Sequence, residues 1–166
     1  VRMTFRRRSP KHRHRPNPNA TIEDESELSS TILMSNPRDT AQLLSGFFTL
    51  ESGAWRWTQS HFLVSLGVPK GAAERGARLE VTATIPDAVA NDLVGVGITP
   101  DIGGRRLSAV QLKQTGEQKA MFDVPAALLR EEAIIVGFDL DKTVPSRQGD
   151  TRKLGLIVSR IALTTP

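Results

Sequence analysis

From about Gln42 onward, apolar and polar residues alternate in short runs, and turn residues break those runs roughly every 8 to 15 positions. Side chains of a strand point to opposite faces in turn, so each run predicts one strand with a buried side. Leu43 to Leu50 predicts a first strand, broken by Gly46. Ser52-Gly53 predicts a turn. Trp55-Arg56-Trp57 then sets two indoles on one face and Arg56 on the other. His61 to Leu66 places Phe62, Val64 and Leu66 together. Arg78 to Ile85 is the cleanest run: Leu79, Val81, Ala83 and Ile85 face one way, and Pro86-Asp87 ends it.

Asp92 to Thr99 alternates weakly around Gly95 and Gly97, glycines that weaken a strand or mark close backbone approach. Asp101-Ile102-Gly103-Gly104-Arg105 predicts a hairpin turn, with Arg106 to Leu112 returning. Gln118 to Val124 and Ala133 to Leu140 predict two more strands. Leu154 to Leu163 predicts the last, with Leu154, Leu156, Val158 and Ile161 inward. Residues 69–76 and 142–152 predict loops. Pro125 to Arg130 is the one helical signal, a turn or two with proline at its first position.

The sum is roughly eight strands and no long helix. The expected fold is all-β, an antiparallel two-sheet β-sandwich of jelly-roll type over residues 42–165, with a closed barrel as the alternative. No internal repeat points to a propeller or solenoid.

Residues 1–40 break the pattern. Arg2, Arg6, Arg7, Arg8, Lys11, Arg13 and Arg15 stand in the first 20 residues without one acid, and Glu23, Asp24, Glu25 and Glu27 follow. Such composition buries too little apolar surface to offset chain entropy, so a disordered basic-then-acidic tail is expected. Thr31 to Met34 predicts at most a short strand or helical turn. The formal net charge of +4 therefore belongs to the tail; beyond residue 20 the chain has 15 basic and 18 acidic residues. The expectation is a solvated leader, with nucleic acid as a partner only through residues 1–20. No apolar run reaches the roughly 20 residues of a membrane span, and no apolar segment follows the N-terminal charges as a secretory signal requires, so a cytoplasmic location is the default expectation.

Chemistry is sparse. There is no cysteine, and of three histidines His12 and His14 fall in the tail while His61 stands alone. Neither a metal site nor a cofactor is expected. Asp139, Asp141 and Asp150 form only a weak calcium-like pattern, read as a solvated loop rim. No nucleophile elbow or phosphate-cradling glycine loop occurs, and no enzyme is expected.

Two stretches stand apart. Gly46-Phe47-Phe48, Leu50-Glu51 and Trp55-Arg56-Trp57-Thr58 hold both tryptophans, and Asp150, Arg152, Leu154-Gly155-Leu156, Val158, Ile161 and Leu163 close the chain. Together they resemble the opening and closing motifs of a poorly characterised bacterial β-sandwich family, some of whose members sit beside glycosyltransferase domains. The resemblance covers about residues 43–164; no transferase accompanies it in these 166 residues. It implies a sandwich similar to galactose-binding-like domains and carbohydrate-binding modules.

Glu51, Arg56, Asp150 and Arg152, with Trp55 and Trp57, form the candidate site. If the first and last strands are neighbours, the charges can interlock as carboxylate–guanidinium pairs. Two readings stay open. One is a clasp that closes the sandwich, as in a structural or protein-interaction domain with buried tryptophans. The other is weak carbohydrate binding by a non-enzymatic module, in which an aromatic face stacks on a sugar and Asp and Arg bond its hydroxyls.

Overall fold

The alternating runs become strands almost one for one. The computed structural model describes residues 28–166, so the basic run and the acidic block lie outside the described residues. The strands are β1 (Thr31–Leu33), β2 (Leu43–Phe47), β3 (Arg56–Gly67), β4 (Ala77–Ile85), β5 (Val96–Ile102), β6 (Arg105–Arg106), β7 (Val110–Leu112), β8 (Gly116–Val124), β9 (Ala133–Leu140) and β10 (Ile157–Thr164). Among the described residues helix is confined to α1 (Ala72–Arg75), α2 (Ala90–Leu93) and three short 3-10 segments. The domain is all-β. No helix among the described residues is long and apolar enough to cross a membrane.

Every strand pairing is antiparallel. The ten strands lie in one hydrogen-bonded system along the order β6-β5-β9-β3-β10-β4-β8, with β1 added to β10, β2 to β3 and β7 to β5. The joint is β3. Its Arg56 and Trp57 pair with Val158 and Ile157 of β10, whereas His61 to Gly67 pair with β9. Between these segments the two-residue period breaks: Trp57 and Thr58 are both buried, and Gln59, Ser60 and His61 are all exposed. The sheet therefore curls at β3 into two wings whose inner faces share one core. Leu79, Val81, Ala83 and Ile85 of β4 and Phe62, Val64 and Leu66 of β3 belong to it, as the alternation predicted. The strands expected of a jelly roll are present, but their wiring is a single curled path through β3.

Two glycines from the opening and closing stretches clamp this joint. Gly46 has φ +84°, a conformation that side-chain-bearing residues rarely adopt, and a Cβ there would run into the His61 carbonyl and lie 2.6 Å from Phe62 Cα. A Cβ on Gly155 would lie 2.5 Å from both the Gln59 carbonyl and Thr58 Oγ1. The close approach is used: Gly155 N–H donates to the Thr58 carbonyl at 2.6 Å, and Thr58 N–H to the Leu156 carbonyl at 2.8 Å. Leu156 N–H donates to Thr58 Oγ1 at 3.1 Å.

Several boundaries differ from the sequence pattern. Order begins before Gln42, within the expected 1–40 tail. Ile32 of β1 pairs with Ile161 of β10 and is fully buried. Asp39 Oδ2 accepts from Leu33 N–H at 2.9 Å, and the Gln42 side-chain amide donates to the Ser29 and Ser65 carbonyls. Three residues are too few to display a period, so β1 is set by its partner and not by its own pattern. Trp55 to Trp57 and His61 to Leu66 were expected as separate pieces; Arg56 to Gly67 is one strand of 12 residues. Asp92 lies in α2, and the strand expected from it begins at Val96. The strand returning from the Gly103-Gly104 turn is split into β6 and β7. That turn itself is as expected: Ile102 pairs with Arg105, and both glycines have positive φ, as a two-residue hairpin requires. The helical signal at Pro125 is a three-residue 3-10 turn, Ala126–Leu128.

Candidate functional site

Residues 48–57 double back on themselves before β3. Ser52 and Gly53, with φ of 51° and 63°, make the turn, and Glu51 N–H donates to the Trp55 carbonyl at 2.8 Å. This sets Glu51 beside Trp55, whose indole Nε1–H donates to Glu51 Oε2 at 3.3 Å. The other carboxylate oxygen, Oε1, lies 3.8 Å from Arg152 Nη2. Arg152 in turn grips Asp150 through both its Nε (2.9 Å) and Nη2 (2.8 Å), and its own backbone N–H donates to Asp150 Oδ1. Its guanidinium carbon stands 5.3 Å from the centre of the Phe48 ring. The chain's opening and closing stretches thus meet in a clasp of Glu51, Arg152, Asp150 and Phe48.

These groups are largely open to solvent, which screens their charges, so the clasp orients more than it stabilises. The Arg152 hydrogen bonds hold the Asp150 carboxyl down to about 2, from the ordinary 3.8. They also raise Arg152 above its usual value. A carboxyl depressed in the folded state contributes stability that is present above the ordinary value and lost as pH falls through the folded one. The denaturation midpoint is therefore expected to drop between about pH 4 and pH 2 more steeply in the wild type than in Asp150→Asn. Parallel curves for the two proteins would count against the clasp.

The other two candidates part from this group. Arg56 was expected among the paired charges. It turns inward instead, because it stands opposite buried Val158 in the β3–β10 register. Its Nη1 donates to the Phe48 carbonyl at 3.1 Å, and its buried Nε has no partner. Trp57 is 8% exposed and packs in the core, so it offers no surface to a ligand. Trp55 is half-buried and faces outward. It borders a groove of about 510 Å³ with Ile157 and Pro86 beneath and Thr84, Ser159 and Glu117 around it. In the strand register Glu117, Thr84, Ile157 and Trp57 form one row across β8, β4, β10 and β3, so they share a face of the sheet. The buried Trp57 is thus the cross-strand neighbour of Ile157, which borders the groove.

The three aspartates considered as a calcium set are dispersed among separate partners. Asp139 accepts from Arg106 Nη1 at 2.8 Å and lies 2.6 Å from His61 Nδ1. The hydrogen bonds from His61, then Arg106, hold its carboxyl below the usual range. Asp141 accepts the Gly97 N–H at 2.6 Å, and Asp150 belongs to the clasp. No group of three potential metal ligands occurs among the described residues. The His61–Asp139–Arg106 cluster was invisible in the sequence, since only the β3–β9 register sets His61 opposite Asp139. The groove beside Trp55 was half visible: Trp55 stood out, but Thr84, Glu117, Ile157 and Ser159 belong to strands distant in sequence.

No family profile matches the chain, and no curated protein sequence does. Solved structures do show likenesses. One is a glycoside hydrolase family 43 arabinoxylan arabinofuranohydrolase from Bacillus subtilis (TM-score 0.44, 10% identity, 82% of this chain and 24% of that one). A second is the acetyl xylan esterase Est2A from Butyrivibrio proteoclasticus (TM-score 0.43, 12% identity, 82% and 33%). A third contains the CBM51-2 and INT domains of Clostridium perfringens ZmpB (TM-score 0.36, 11% identity, 81% and 28%). The chain thus spans between 24% and 33% of the solved chains that it resembles.

Proposed function

We propose that this domain is a non-catalytic module that binds carbohydrate weakly in the groove beside Trp55. One observation carries this: a half-buried indole, fixed through Nε1 by Glu51, borders an apolar floor ringed by two hydroxyls and a carboxylate. A pyranose presents the matching surfaces, with C–H groups on its faces and hydroxyls around its edge. The groove volume lies in the range of ordinary ligand sites, which combine apolar lining with a few placed polar groups. In this reading Glu51, Asp150 and Arg152 position Trp55, while Arg56 and Trp57 are scaffold.

The non-catalytic reading draws on the state of the acids. Glycoside hydrolysis needs a carboxyl of raised pKa facing a second across the bond to be cleaved. Glu51 and Asp150 instead share one arginine, and Asp150 is shifted the opposite way.

Trp55→Ala is expected to abolish binding on a glycan array. As a partly buried aromatic it should lower stability by only about 1–2 kcal/mol, below the loss for a core tryptophan. Undiminished binding by the variant would sink this site, and a wild-type protein that binds no glycan would sink the reading. A protein-contact role has one observation in its favour. Leu44 on β2 and Ile135 on β9, the two strands flanking the outer half of β3, are 46% and 57% exposed. A stable protein complex together with a blank array would select it.

A further inference from the structure

We propose, resting on the carbohydrate reading above, that the Trp55 groove selects sugars bearing a free protonated amine, and that Glu117 is the group that pairs with it. Among the residues bordering the groove only Glu117 carries a charge. It is exposed, and no ion pair among the described residues engages it. The charges that could compensate it are committed or stand outside. Arg160, in the neighbouring row of the same face, donates to Glu80 at 3.1 Å. Arg152 is held by Asp150 and Glu51. Lys119, the next outward residue of β8, does not border the groove.

Register fixes the spacing between Glu117 and Ile157. Glu117 is opposite Thr84, and Thr84 is opposite Ile157, so the backbone of Glu117 is two strand spacings, about 10 Å, from that of Ile157. A sugar stacked at Trp55 therefore presents its edge, or its neighbour in a chain, to Glu117. A neutral hydroxyl there donates one hydrogen bond to the carboxylate. An ammonium adds the attraction of a full opposite charge to that hydrogen bond, and a uronic-acid carboxylate meets a like charge. The groove thus discriminates by sign of charge: amine-bearing first, neutral second, acidic last.

The test is calorimetric titration of the full chain at pH 6 and low salt with three tetramers, of glucosamine, glucose and glucuronic acid. The expected order is glucosamine tightest, by roughly tenfold over glucose, with the gap shrinking as salt is added. Glu117→Gln, a substitution at an exposed strand position, is expected to erase that gap, bringing the glucosamine tetramer down to the affinity of the glucose tetramer for the same variant. Trp55→Ala should weaken all three. Equal binding of glucosamine and glucose, or tightest binding of glucuronate, overturns the selectivity while leaving the Trp55 site standing. Failure of all three, and of a broad glycan array, overturns the carbohydrate reading and the selectivity with it.

Discussion

Replacing Gly46 with alanine is expected to lower the stability of the domain sharply. Two effects act at one position. The φ of +84° strains any residue with a Cβ, and the added methyl is driven into backbone at His61 and Phe62, not into the flexible end of a side chain. The strain alone is worth about 1 kcal/mol, and an overpacked methyl against an unyielding neighbour about 1–3 kcal/mol more. The neighbour here is β3, which cannot retreat without breaking its pairs to β9. A total of about 2–4 kcal/mol is a large part of the roughly 5–15 kcal/mol that holds a domain folded. Gly53→Ala is the control, because Gly53 also has positive φ, +63°, but nothing lies within 4 Å of the added Cβ. Its denaturation midpoint should move by the strain alone. If the two variants lose equal stability, the close approach of β2 to β3 has no energetic weight.

Trp57→Ala is expected to lower stability by about 3–5 kcal/mol, the range for deleting a buried tryptophan. The indole is 8% exposed and lies across from Ile157, so its loss leaves a void beside Ile157 and loosens the β3–β10 pair. Equilibrium unfolding in denaturant measures this, and a loss no greater than that of Trp55→Ala would contradict the placement of Trp57 in the core. The contrast between the two tryptophans matters. One variant should cost mainly ligand, the other mainly fold.

Much of the fold was legible in the sequence, and the reason is physical. Where a strand is long and one face is buried, the period of two is written in its residues, as in β4 and β8. The period fails where tertiary pairing decides. β1 has three residues and takes its register from β10. Across residues 57–61, two consecutive buried residues followed by three exposed ones mark a bend that no alternation rule anticipates. The short helices α1 and α2 offer too few residues for a helical period. The expectation that opening and closing charges meet was right for Glu51, Asp150 and Arg152, whose spacing places them at the two ends of neighbouring segments. It failed for Arg56, whose cross-strand partner is the buried Val158. Trp55 and Trp57 were expected to act alike. A bridge to Glu51 leaves the first at the surface, and a place in the strand row buries the second.

β3 has a consequence for how this chain reaches its native state. Its first residues find partners about 100 positions later in the chain, its last ones about 70 later, and its other edge is covered by β2. No subset of neighbouring residues can complete it. Closing loops of that length precedes any reward from pairing, which places the domain among slow-folding, high-contact-order topologies. The same wiring removes any stable half-structure. A chain that has lost β10 has lost the near end of β3, and with it the anchor from which the opposite wing is built.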